Sequence, residues 1–79
     1  MIDVKEAADL ARKYFLSLHE GRGVYQLALE EVELSNDERY WLITLSYSDN
    51  PILAGVKYKT FKIDAESGRV FSMKIRAVS

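Results

Sequence analysis

Residues 61–74 read FKIDAESGRVFSMK, two apolar-polar alternations separated by Asp64-Ala65-Glu66-Ser67-Gly68. Two carboxylates, a hydroxyl and a glycine within five residues suit either a cation loop or a chain reversal. A calcium loop of the EF-hand type needs acids at alternate positions, a central glycine and a closing glutamate. Here only Asp64 and Glu66 fit, and nothing after them completes the shell. A hairpin reversal needs an acid at its first position, to hydrogen-bond the loop's own amides, and a glycine free to take positive φ. Asp64 and Gly68 meet both needs, so the stretch reads as a β-hairpin.

Working outward, residues 69–78 form the last strand, with Phe71, Met73 and Ile75 on one face and Ser72, Lys74 and Arg76 on the other. Residues 56–64 form the strand before it. The longest loop, SDNPILAG, precedes that strand and holds the only proline. Residues 39–48, RYWLITLSYS, alternate most clearly. Trp41, Ile43, Leu45 and Tyr47 face one way, and Tyr40, Leu42, Thr44 and Ser46 the other. Both faces are fairly apolar, as suits a central strand. Residues 24–35 also alternate, but the parity slips between Leu29 and Val32, so a β-bulge is expected near Glu30 and Glu31. Ser35 to Glu38 is a turn.

Ahead of the strands the period is that of a helix. Val4, Ala7, Ala8, Ala11, Tyr14, Phe15 and Leu18 recur at spacings of three and four over residues 3–19. Asp3 is placed to cap the first turn, with Glu6 three residues on. Gly21 and Gly23 are expected to supply a left-handed stop. Consecutive strands joined by short reversals make an antiparallel meander, and the helix is the element available to cover one face. The expected architecture is a single α+β domain over residues 1–79, with an N-terminal helix packed on one face of a four-stranded antiparallel meander sheet. Its core is expected to join Trp41, Ile43, Leu45, Phe71, Met73 and Ile75 to Ala7, Ala8, Ala11, Phe15 and Leu18.

The closing hairpin FKIDAESGRVFSM and the opening helix VKEAADLARKYF together resemble the PepSY-type domain. The element order covers most of the chain, while the motif itself is the short apolar-x-Asp-x-x-Ser-Gly-x-apolar turn. The resemblance implies a non-catalytic module that restrains or binds a protein partner.

Composition narrows the function classes. The 79 residues include no cysteine, which excludes disulfides, thiolate nucleophiles and zinc–thiolate sites. A net charge of −1 gives no general attraction to nucleic acid. The apolar runs fall short of a membrane span of about 20 residues. MIDVKEAADL lacks the basic and apolar regions of a secretory signal, so a soluble cytoplasmic protein is expected. Charge is uneven: residues 1–38 hold nine acids and four bases, and residues 39–79 three acids and seven bases. Pairing between neighbouring strands accounts for such an asymmetry, and a basic patch on the last two strands is the functional alternative.

Catalytic candidates are thin. His19 is the single histidine and sits at the helix end, where it caps better than it catalyses. Gly21-Arg22-Gly23 is too short to cradle phosphate and leads into a strand. Glu30 and Glu31 point to opposite sides of a strand unless a bulge turns both outward. Neither an enzyme, a cofactor nor a metal is expected. The surface singled out for binding is the face away from the helix, with Tyr40, Leu42 and Tyr58 beside Lys74 and Arg76. Two partners are expected to suit it: an acidic or extended protein or peptide, or a second copy of the chain.

Overall fold

The computed structural model describes residues 1–20, 23–48, 52 and 55–75. Among the described residues there is one helix, α1 (Val4–Leu18), followed by β1 (Tyr25–Leu34), β2 (Tyr40–Ser48), β3 (Lys57–Asp64) and β4 (Val70–Ile75). The strands lie in the sheet order β1-β2-β3-β4, each antiparallel to the next. Helix and sheet make the two-layer α+β arrangement read from the alternation pattern.

The helix begins where Asp3 accepts a hydrogen bond from the Glu6 amide at 2.8 Å. Its buried seam is Ala7, Ala11 and Phe15, a step of four each time. The small side chains of the first two bring the helix close, chiefly over β2. Beneath it lie Ile43, Leu45, Tyr47, Phe61 and Ile63, with Trp41, Val70 and Met73 packed around them. Phe15 is the hub, with its ring 4.7 Å from Tyr47 and 6.3 Å from Phe61.

Extending the seam by another four residues reaches His19, not Leu18. His19 stacks at 4.1 Å on Phe15 and donates from Nδ1 to the Phe15 carbonyl at 3.0 Å. Leu18 is rotated off the seam and remains 47% exposed, and Val4 is exposed at the other end. Ile2 and Leu10 pack on the core instead. The helix stop also differs from expectation. His19 itself is the C-cap and its amide bonds to Leu16, Gly23 does not take positive φ, and Gly21 lies outside the described residues.

The hairpin at 64–68 is a turn that the rest of the molecule uses as an anchor. Asp64 Oδ1 accepts from the amides of Glu66 (2.8 Å) and Ser67 (2.9 Å), and Gly68 adopts φ +77. The Ser67 amide, then that of Glu66, hold the Asp64 carboxyl below its ordinary range. Ala65 is fully buried, accepts from the Ile2 amide at 2.7 Å and donates to the Arg39 carbonyl at 2.9 Å. Trp41 Nε1 donates in turn to the Ile2 carbonyl at 3.0 Å. One turn thereby fastens the N-terminal segment, the β1–β2 turn and the sheet together.

Two strands deviate from simple alternation. β1 carries the expected bulge between Leu29 and Glu31, and a second irregularity between Tyr25 and Ala28, where Gln26 has φ 54. β4 carries a bulge that the sequence pattern hides. Ile63 faces Val70 while Lys62 faces Ser72, so Phe71 is the extra residue. Phe71 therefore leaves the core that alternation assigns it and is 58% exposed. Ile75, at the end of β4 in the row of Leu45 and Lys59, is 80% exposed and does not join the core that alternation assigns it.

Candidate functional site

The face of the sheet away from α1 is organised by strand register into cross-strand rows. One row runs Glu33–Leu42–Lys62–Ser72 and the next Glu31–Thr44–Thr60–Lys74. A third joins Ala28, Ser46 and Tyr58, and Tyr40 stands opposite Asp64. Directly opposed residues share a face, so the rows place acids along β1, neutral side chains along β2, and lysines on β3 and β4.

The β1 bulge is what concentrates the acids. The extra residue, Glu30, accepts from the Ser46 hydroxyl at 2.8 Å, and Ser46 lies on this face. Glu31 is opposite Thr44 on the same face. Both carboxylates thus lie on the outer side, and Glu33 extends the line.

Along β2 the floor is a trough of hydroxyls. Thr44, Ser46 and Ser48 are only 3%, 4% and 6% exposed, although no described element covers them. They are short side chains, with Glu31 beside Thr44, Tyr58 beside Ser46 and Tyr25 beside Ser48 in the cross-strand rows. Their polar atoms are satisfied laterally: Ser46 by Glu30, and Thr44 by Thr60 at 3.0 Å. Among the described residues, no buried side-chain polar atom lacks a partner. The Ser46 hydroxyl, held as donor to the Glu30 carboxylate, is part of a hydrogen-bonded floor.

At one end of the trough stands an aromatic–basic cluster. The Tyr40 and Phe71 rings meet edge to face at 5.1 Å, and Lys62 Nζ sits 4.2 Å from the Tyr40 centroid. The β1–β2 turn walls this end. Ser35 Oγ donates to Asp37 Oδ1 at 2.7 Å, and the Tyr40 amide donates to Ser35 Oγ at 3.1 Å. The Ser35 hydroxyl, then the Arg39 amide, hold the Asp37 carboxyl below its ordinary range. Between turn and cluster is a depression of about 330 Å³ lined by Ser35, Asn36, Asp37, Tyr40, Leu42 and Lys62.

Of the five residues singled out in the sequence, Tyr40 and Leu42 lie in this depression and Tyr58 in the Ser46 row. Lys74 is exposed at the far end of the Thr44 row, and Arg76 lies outside the described residues. The sequence reading missed Lys62, whose parity with Tyr58 and Thr60 places it on this face. It also missed the acidic border, because a bulge's position does not reveal which way both glutamates turn. Phe71 had no signal at all.

A larger cleft of about 550 Å³ lies between α1 and β1, floored by Ala8, Leu27, Leu29 and Leu45. Its rim mixes Asp3, Glu6 and Asp9 with Lys5 and Arg12. Asp9 already pairs with Lys13 at 3.0 Å, so the rim presents no consistent charge. Among the described residues, no group of three His, Asp or Glu side chains is placed to hold a metal ion, and no helix is long and apolar enough to cross a membrane. Comparisons with family models, with curated proteins and with solved structures find no match.

Proposed function

We propose that the chain is a non-catalytic protein-binding module whose contact surface is the outer sheet face. The observation that carries this reading is the Tyr40–Phe71–Lys62 cluster beside Leu42. It places a 58%-exposed phenylalanine and a lysine over an aromatic ring, on a face that no described element covers. Aromatic anchors flanked by charges suit a protein contact, since the rings supply area at small entropic cost and the charges steer approach. The satisfied hydroxyl floor gives that contact a rigid base. The resemblance of the closing hairpin to PepSY-type domains points the same way.

Amide chemical-shift mapping of the labelled chain in an extract of its native host tests the reading. Shifts should concentrate on Tyr40, Leu42, Tyr58, Lys62, Phe71 and Lys74, and should vanish in a Tyr40→Ala/Phe71→Ala double variant. Shifts confined to His19 and Gly23, or to the α1–β1 cleft, would move the site elsewhere and end this proposal.

A further inference from the structure

The charge pattern of the outer face identifies the partner that fits it. An acidic peptide would meet Lys62 and Lys74 but also Glu30, Glu31 and Glu33 across the same surface, roughly 10 to 15 Å away at the strand spacing of about 4.8 Å. A basic peptide meets the converse problem. The surface calls for a partner carrying the same gradient reversed.

Building on the proposed contact surface, we infer that the partner is a second copy of the chain, docked outer face to outer face about a two-fold axis parallel to the strands. Such an axis lays β1 of one copy over β4 of the other, and β2 over β3. In the Thr44 row, Glu31 then faces Lys74 of the second copy, twice by symmetry, and Thr44 faces Thr60. In the adjoining row Leu42 lies over the Lys62 stem, and Glu33 over Ser72. Stacked sheets sit about 10 Å apart, a gap that Tyr40, Phe71 and Leu42 can fill from both sides.

The other symmetric arrangements fit less well. An axis across the strands would stack β1 on β1 and bring its glutamates together. Pairing the two β1 edges would gather the same acids along a strand already broken by two irregularities and the left-handed Gln26. Pairing the β4 edges would join strands of six residues and set lysine near lysine. Four strands of about 4.8 Å spacing and seven residues of about 3.3 Å rise give a face of roughly 440 Å² in projection. With side-chain relief, two such faces bury an area near the low end of specific interfaces, about 1,200 Å² in total. The dimer is therefore expected to be weak and to dissociate on dilution through the micromolar range.

Sedimentation velocity of the full chain from about 1 μM to 1 mM, with charge-reversed variants, tests this. Wild type should pass from monomer to dimer, and added salt should weaken the dimer. Lys74→Glu and Glu31→Lys should each raise the dissociation constant roughly tenfold, since each contact occurs twice. An equimolar mixture of the two variants should restore wild-type affinity as a heterodimer, because both contacts are then complementary, one as in wild type and one with its charges exchanged. A monomer throughout the range, or a dimer indifferent to both reversals, would overturn the inference. If outer-face shifts still appear in host extract while the pure chain stays monomeric, the contact surface stands and the second copy as partner falls. If neither appears, both fall.

Discussion

On the helix side of β2, Ile43, Leu45 and Tyr47 are sealed from water by α1. On the other side of the same strand, Thr44, Ser46 and Ser48 are sealed almost as well, although no described element covers them. The first burial depends on a covering element and is paid in apolar area. The second is burial of hydroxyls, and the lateral hydrogen bonds that Ser46 donates to Glu30 and Thr44 shares with Thr60 make it tolerable. One face thus holds the molecule together, while the other is satisfied in its polar groups with no described element over it, which is why the proposed contact surface is placed there.

The largest expected effect lies on the covered face. Phe15→Ala or Ile43→Ala removes a fully buried side chain and should cost about 2–5 kcal/mol, a large part of the stability of a domain this small. Urea denaturation would measure it. Near-native midpoints for both would break the comparison by showing that α1 is not what seals this side.

A smaller effect is expected where the two layers are fastened. Gly68 has φ +77, and a Cβ there would lie 3.0 Å from Leu10 Cδ1. Gly68→Ala should lower stability by about 1 kcal/mol or more. Trp41→Phe keeps most of the ring volume but deletes the donor to the Ile2 carbonyl, so a loss of about 1–2 kcal/mol is expected. Amide exchange should then rise at Ile2 and Ala65 ahead of the sheet centre. Uniform exchange across the molecule would show that the N-terminal segment is not separately fastened.

The smallest effect is one of pH. Asp64, Asp37 and Asp9 all have carboxyls below their ordinary value of 3.8, held there by the Ser67 amide, the Ser35 hydroxyl and the Lys13 ammonium respectively. A carboxyl lowered by folding stabilises the native state above the unfolded value, and that contribution disappears as pH falls through the folded one. Stability should accordingly be flat near neutrality and fall below about pH 4. Asp64→Asn should make that acid limb shallower. An unchanged limb would mean that the turn's amides do not favour the charged form. Calcium should leave the melting temperature unchanged in either chain.

Much of this was legible from residue order. Strict alternation in β2 assigned both faces correctly, and the parity slip at Glu30 and Glu31 announced a bulge that the register contains. The Asp64–Gly68 spacing announced a turn. What escaped were features set by register and reach. Phe71 changes face at a β4 bulge that has no compositional mark, since Phe71, Met73 and Ile75 read as ordinary alternation. Ile75 and Leu18 look like core, but Ile75 ends the edge strand and is exposed and Leu18 lies off the helix's seam. The acidic border of the candidate site emerged only from the cross-strand rows, which bring together residues more than forty positions apart, such as Glu31 and Lys74.

Leu42 and Ile43 are chain neighbours on opposite faces, and comparing them tests the division most directly. Leu42→Ala should cost less than about 1.5 kcal/mol, because the side chain is half-buried and no described element packs on it. It should nonetheless weaken self-association at least severalfold in sedimentation velocity. Ile43→Ala should do the reverse in stability, losing about 2 kcal/mol or more. If Leu42→Ala unfolds the chain as readily as Ile43→Ala, or leaves association untouched, the outer face is not the contact surface described.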